Sequence, residues 1–133
     1  MSKPLHLSVL QQSFSVHRFS IDSPVPTDVM NSEIFSVMRT DEELSIVCES
    51  SIKLNSEKAE MDWSALKVTG PLDFALTGIL AGLATTLDEA GISLFALSTY
   101  DTDYILVKSK QLSRACMALS SAGYILENWM RDV

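Results

Sequence analysis

Short apolar segments in the second half of the chain predict strands, and two amphipathic stretches between them predict helices. The strands are predicted at 65–69, where apolar and polar residues alternate, and at 92–97, 104–107 and 124–126. The first helical stripe comprises Leu76, Ile79, Leu80, Leu83 and Leu87, with Asp73 as its predicted N-cap and Gly91 at its end. The second comprises Leu112, Ala115, Cys116, Leu119 and Ala122, between a capping Ser109 and Gly123. This β-α-β-β-α-β order predicts a ferredoxin-like arrangement, in which both helices cover one face of an antiparallel sheet.

The first half shows a similar succession of predicted strands and turns, but no predicted long helix. Strands are predicted at 5–10, 14–19, 34–39 and 44–48, with a break at Gln11 and Gln12. The polar stretch 49–63 is interpreted as a connector that holds at most a short strand at 52–54. At an offset of 60 residues, the two halves share three identities, which are Phe35 with Phe95, Asp41 with Asp101, and Val47 with Val107.

This repeat predicts an α+β protein of two ferredoxin-like modules, of which the first is shortened. The predicted N-terminal module spans 1–62 and the predicted C-terminal module spans 63–133. A shortened copy has too few elements to bury a sheet face alone, so the two modules are expected to pack together.

Composition and charge exclude several classes of partner. The chain has 133 residues, a formal net charge of -7 and 47% hydrophobic residues, which is typical of a globular protein. Nucleic acids and anionic membrane surfaces need a basic face, and the chain has no run of lysine and arginine. It also shows no signal peptide and no apolar run long enough to span a bilayer, so we expect a cytoplasmic location with Cys48 and Cys116 reduced.

The residues give little support for an enzyme. Only His6 and His17 could act as bases near neutral pH, and no known catalytic, nucleotide-binding or zinc-binding motif occurs. We interpret His17 as a partly exposed strand histidine. The expectation is therefore a non-enzymatic protein without a metal site or a cofactor.

Two stretches could instead bind a small zwitterion. A Gly-Pro bend opens "GPLDFALTGILAG", where helix N-terminal amides attract carboxylates and Gly78 permits close approach. In "STYDTD", Asp101 and Asp103 could bind a cation. Each has a structural alternative: the small residues around Gly78 also suit close helix packing, and aspartate is common in turns.

The stretch from Gly70 to Tyr124, with the strand-turn-strand text from Phe35 to Cys48, resembles the ACT-domain family in its tandem branch, which includes the domains of the CASTOR arginine sensors. This resemblance implies a non-catalytic, allosteric regulatory protein that binds an amino acid at the interface between modules, with a homodimer completing the pocket if two modules are too few. The implied ligand-binding residues are Asp73, Phe74, Thr77, Gly78, Ile79, Ser98, Thr99, Tyr100, Asp101 and Asp103, together with the backbone of Ser36, Val37 and Met38. The alternative is a structural or interaction module that forms a homodimer without a ligand.

Overall fold

A computed structural model describes residues 5–69 and 78–129. Its two α-helices are α1 (Ile79–Glu89) and α2 (Leu112–Ser121), and short 3-10 helices span Thr27–Asn31 and Ser109–Gln111. The strands in these ranges are β1 (His6–Phe19), β2 (Ser36–Arg39), β3 (Leu44–Glu49), β4 (Lys58–Val68), β5 (Phe95–Ser98), β6 (Asp103–Lys108) and β7 (Ile125–Glu127). No helix in the described ranges is long and apolar enough to cross a membrane.

The chain divides into two units, and β1 and β4 each contribute residues to both. The N-terminal unit consists of residues 12–63, and the described part of the C-terminal unit consists of residues 5–11, 64–69 and 78–129. Residues 5–11 thus group with the C-terminal unit, whereas the predicted modules divide the chain once, after residue 62.

In the C-terminal unit the strand order is β5-β6-β4-β1-β7. β5 and β6 are antiparallel, whereas β1 and β7 are parallel. A four-stranded ferredoxin-like sheet would place the last strand beside β4, but β1 occupies that position. The amide of Thr69 donates to the carbonyl of His6 at 2.9 Å, and the amide of Ile125 donates to the carbonyl of Leu5 at the same distance. The start of β1 therefore has a hydrogen-bonded neighbour on each side.

Both helices of this unit pack on one face of its sheet. The strand residues in this core alternate along the chain, as expected for one sheet face, and both helical stripes join them. The core includes Leu7, Val9, Leu66, Val68, Ile105 and Val107 from the strands, and Leu83, Leu87, Ala115, Cys116 and Leu119 from the helices. The predicted stripes are confirmed at these five helical positions. Burying each large side chain contributes about 1.5–3 kcal/mol.

The N-terminal unit has the strand order β2-β3-β1-β4, and β3 is antiparallel to both of its neighbours. The 3-10 helix Thr27–Asn31 is the only helix in residues 12–63, all of which the structure describes. The core of this unit consists of Phe19, Val29, Leu44, Ile46 and Cys48, with Ile52 and Leu54 packed against it.

Two local predictions in these strands are wrong. β1 continues through Gln11 and Gln12 without a break. Residues 52–54, where at most a short strand was expected, are irregular chain that supplies apolar side chains to the core. β4 begins at Lys58, inside the predicted connector, and the amide of Glu57 donates to the carbonyl of Arg18 at 3.0 Å. Polar residues can form a strand here because pairing satisfies their backbone groups while their side chains stay exposed.

The internal repeat is real at the level of the two hairpins, but its offset is 59 residues and not 60. In β2–β3, Arg39 pairs with Leu44, and in β5–β6, Ser98 pairs with Asp103. Thr40 therefore corresponds to Thr99. A shift of one residue moves every side chain to the opposite sheet face, so the predicted pairs such as Phe35 with Phe95 do not occupy equivalent positions.

His17 is buried in the N-terminal unit and not partly exposed as predicted. Its side chain is 4% exposed, and Nδ1 lies 2.8 Å from the hydroxyl of Ser56. Nε2 is buried with no hydrogen-bond partner in the described part of the chain. Desolvation by burial lowers the pKa of His17, because the imidazolium form loses its hydration.

This burial predicts acid sensitivity. Because the folded pKa lies below the unfolded value near 6.5, His17 permits full stability above that pH, and stability falls as the pH drops below it. Chemical unfolding between pH 7 and pH 5 should show a loss that approaches ~1.4 kcal/mol per pH unit from this group. His17→Gln should flatten that dependence. The exposed His6, in the variant His6→Gln, is the control, and an unchanged slope in His17→Gln would contradict the assignment.

Candidate ligand site at the β5–β6 turn

The turn between β5 and β6 is closed by its two threonines. The amide of Thr99 donates to the carbonyl of Thr102 at 2.8 Å, and the amide of Thr102 donates to the hydroxyl of Thr99 at 3.1 Å. The Thr99 hydroxyl also lies 3.1 Å from the Thr102 carbonyl, to which it donates. The side chain of Thr99 is therefore engaged in shaping the turn, which orients the residues at its tip.

The acidic groups of the turn differ in their surroundings. Ser98 and Asp103 are paired across the hairpin, and the serine hydroxyl donates to Oδ1 of Asp103 at 2.6 Å. This bond orients the carboxylate of Asp103. Asp101 lies at the exposed tip of the turn beside Tyr100, whose side chain is 81% exposed. The turn thus presents two carboxylates, of which one is held in a defined orientation.

A buried hydrogen bond ties this turn to the end of β4. Thr102 is 6% exposed, and its hydroxyl donates to the carbonyl of Val68 at 2.5 Å. Val68 is the last residue of β4, the strand that precedes α1 in the chain. The turn is therefore hydrogen-bonded to the end of β4, from which the chain continues toward α1.

The start of α1 is set by a left-handed glycine. Gly78 is the N-cap residue, with a φ of 81°, and is exposed. The first hydrogen bond of the helix runs from the amide of Gly82 to the carbonyl of Gly78 at 2.8 Å. The amides of residues 79–81 therefore have no acceptor within the helix itself. The prediction of Asp73 as the N-cap of this helix, which would place Gly78 in the helix interior, is wrong. The positive φ explains the glycine, because other residues are strained in that region.

Gly82, one turn later, has a packing role. A Cβ atom at this position would lie 3.0 Å from the hydroxyl of Tyr124, so the tyrosine side chain would have to move by a few tenths of an ångström. At Gly82 the structure therefore agrees with close packing, the structural alternative for the small residues of α1. Ser109, predicted as a helix cap, is instead bonded to Ser64 through their hydroxyls at 2.8 Å, and Gln111 is the N-cap residue of α2.

The structure brings together part of the predicted site. One hairpin carries Ser98, Thr99, Tyr100, Asp101 and Asp103, and the same unit contains Gly78 and Ile79. Ser36, Val37 and Met38 form β2 in the N-terminal unit. Asp73, Phe74 and Thr77 lie outside the described residues, as does Leu76 of the predicted helical stripe. Thr102 was absent from the prediction because nothing in a polar turn sequence marks one threonine as buried.

Residues 5–69 and 78–129 contain neither a candidate metal site nor a reactive thiol. No group of three or more histidine, cysteine, aspartate and glutamate side chains there is placed to hold a metal ion. Cys48 and Cys116 are buried free thiols. Burial raises the pKa of Cys116 to about 11, so its thiol stays protonated and unreactive at neutral pH.

Comparison with known proteins gives a consistent result. The family model described as an ACT domain matches residues 58–121, and a second model, described as an N-terminal domain, matches residues 12–52. The human protein CASTOR3P is 34% identical over 107 residues, which cover 71% of this chain and 66% of that protein. The chain thus spans just under two thirds of the length of this relative.

Solved structures extend the comparison to nearly the whole chain. A crystal structure from Agrobacterium tumefaciens is 31% identical, with a TM-score of 0.86, and covers 99% of this chain and 100% of its own. The ligand-free regulatory subunit of aspartate kinase from Thermus thermophilus has a TM-score of 0.65 at 8% identity, covering 87% of this chain and 95% of its own, which shows a shared fold. From the matched family model and the similarity to CASTOR3P, we conclude that the chain contains an ACT domain, matched over residues 58–121.

Proposed function

We propose that this chain is a non-catalytic regulatory protein that binds an amino acid at the β5–β6 turn and the start of α1. The observation that carries the proposal is the buried bond from Thr102 to Val68, because it fixes the acidic turn beside the end of β4. ACT domains are regulatory amino-acid-binding modules, and the match to the ACT model supports the proposed regulatory role. The burial of His17 also speaks against a role for that residue as an accessible base.

The two sides of the proposed site suit the two charges of an amino acid. Asp101 and Asp103 would accept hydrogen bonds from the ligand's ammonium group. The amides at the start of α1 would donate to its carboxylate, where the helix dipole favours negative charge. The proposed ligand-binding residues in the described chain are Gly78, Ile79, Ser98, Thr99, Tyr100, Asp101 and Asp103.

Regulation would follow from differential binding. A ligand that contacts both the turn and the helix stabilises the conformation in which they are correctly placed, and so shifts the population toward it. A two-module ACT arrangement, a homodimer and a cytoplasmic location form part of the same proposal.

A thermal-shift screen with the standard amino acids tests this function. A ligand at 100 times its Kd adds about 2.7 kcal/mol of stability, which raises the melting temperature by several degrees. Asp103→Asn removes one charged partner of the ammonium group while retaining an acceptor for Ser98, and should weaken binding about 10- to 100-fold. Calorimetric titration measures this change.

Glu42→Gln is the matched control, because Glu42 occupies the position in the β2–β3 turn that Asp101 occupies in the β5–β6 turn. It should leave the affinity unchanged, whereas Asp101→Asn should lower it. A melting temperature that no amino acid raises would contradict the proposed function and favour the interaction module.

The anchor of the turn can be tested separately. Thr102→Val keeps the shape of the side chain but leaves the carbonyl of Val68 without its buried donor, which should lower the free energy of unfolding by about 1–3 kcal/mol. Thr85→Val, at an exposed position of α1, is the control. If the amino-acid affinity also falls in Thr102→Val, the anchor positions the site. Equal stability of Thr102→Val and wild type in chemical unfolding would contradict the anchoring role.

A further inference from the structure

Exposed apolar side chains are concentrated in one segment of the N-terminal unit. Among the described residues, ten large hydrophobic side chains are exposed, and six of them lie within residues 21–38. Met30 and Met38 are 69% and 64% exposed. The six are Ile21, Val25, Met30, Phe35, Val37 and Met38. Single exposed apolar residues are ordinary, but a concentration of this kind is typical of an interaction surface.

The segment ends in a strand at the edge of the described sheet. β2 is the outermost strand of its sheet, with β3 as its hydrogen-bonded neighbour. The amide of Thr40 donates to the carbonyl of Glu43, and hydrogen-bonded pairs alternate along an antiparallel ladder. The backbone groups of Val37 and Arg39 therefore point away from β3. An exposed apolar edge of this kind is a template for another strand.

Two polar anchors hold this edge in shape. At one end, the guanidinium of Arg39 donates to the carbonyls of Ile21 and Ser23. At the other end, Oε2 of Glu49 accepts from the hydroxyl of Ser32 at 2.9 Å and from the amide of Ile34 at 3.2 Å. Desolvation acts to raise the pKa of Glu49, but these hydrogen bonds outweigh it and lower that pKa. A strand edge fixed at both ends is preorganised for a partner, which reduces the entropy lost on binding.

The charge around the edge indicates what kind of partner fits. Residues 20–43 contain six acidic side chains and one basic one, Arg39, whose guanidinium is already bonded to carbonyls. The acidic residues are Asp22, Asp28, Glu33, Asp41, Glu42 and Glu43. The ion pairs found within the described ranges, His6 with Glu127 and Arg18 with Glu57, include none of them. If a second copy of this chain paired with β2, the acidic residues of the two copies would be brought together, which is unfavourable. A basic segment of another protein would instead neutralise them.

We propose that the β2 edge docks an extended, basic segment of another protein, which adds a strand beside β2. Backbone hydrogen bonds to Val37 and Arg39 would supply affinity. Alternating apolar side chains of the partner would pack on Phe35 and Val37, which share one face of the strand. Its lysines or arginines would lie on the opposite face, which Met38 shares, and would neutralise the acidic side chains of residues 20–43. This surface is in the N-terminal unit and does not depend on amino-acid binding at the β5–β6 turn.

Binding of fluorescein-labelled peptides, measured by anisotropy, tests the proposal. The probe is a capped peptide of alternating lysine and valine, and its counterpart has glutamate in place of lysine. The basic peptide should bind the full chain and weaken with added salt, whereas the acidic one should not bind. Val37→Pro removes an outward amide and should weaken binding at least tenfold. Ala96→Pro is its control, because Ala96 occupies the equivalent outward position on β5.

A second pair of variants tests the proposal without placing a proline in a strand. Met38→Lys adds a positive charge at an exposed position of the edge and should weaken binding of the basic peptide, whereas Met117→Lys makes the same change at an exposed position of α2 and should not. Equal binding of both peptides, or equal loss in Met38→Lys and Met117→Lys, would overturn the proposal. So would a dimer in sedimentation that Met38→Lys dissociates, because a second copy would then occupy the edge. Asp103→Asn, which should weaken amino-acid binding, should leave the affinity for the basic peptide unchanged, because Asp103 lies in β6 of the C-terminal unit.

Discussion

Burial of one face of β1, β4 and β6 beneath α1 and α2 is the constraint on which the C-terminal unit depends. Leu66 and Val68 of β4 face the same core as Leu83 and Leu87 of α1. Because side chains alternate along a strand, this burial fixes the register of β4, and the register in turn places the Val68 carbonyl where Thr102 reaches it. The geometry of the proposed ligand site is therefore a consequence of core packing.

Buried hydroxyl pairs fix the positions of segments that apolar packing alone does not determine. Ser64 meets Ser109 at 2.8 Å, and Ser15 meets Ser50 at 3.1 Å. Each of these bonds joins a strand to an irregular segment or a 3-10 helix, where apolar packing alone would allow several positions. A buried hydroxyl without a partner costs about 1–3 kcal/mol, so such pairs select one position of the segment over others.

The same hairpin design serves two different environments. Thr40 and Thr99 close their turns through the same amide-to-carbonyl bond to the residue three positions later, at 2.9 and 2.8 Å. The β5–β6 turn is anchored to a core strand and presents two carboxylates, one of them oriented, which suits a small charged ligand. The β2–β3 hairpin exposes methionine and valine on an outer strand, which suits a polypeptide. Equivalent backbones thus acquire different proposed roles through the side chains around them.

The sequence by itself determined the elements whose periodicity is strong. The stripes of α1 and α2, the β2–β3 and β5–β6 hairpins, and the resemblance to ACT domains all follow from local apolar spacing and turn residues, which need no knowledge of distant neighbours. The tertiary structure decided the rest. The position of β1 between β4 and β7, the strand formed by the polar residues from Lys58, and the burial of His17 and Thr102 each depend on a partner remote in sequence. A pairing of that kind leaves no periodic signal in either segment, because its energy exists only once the two are brought together.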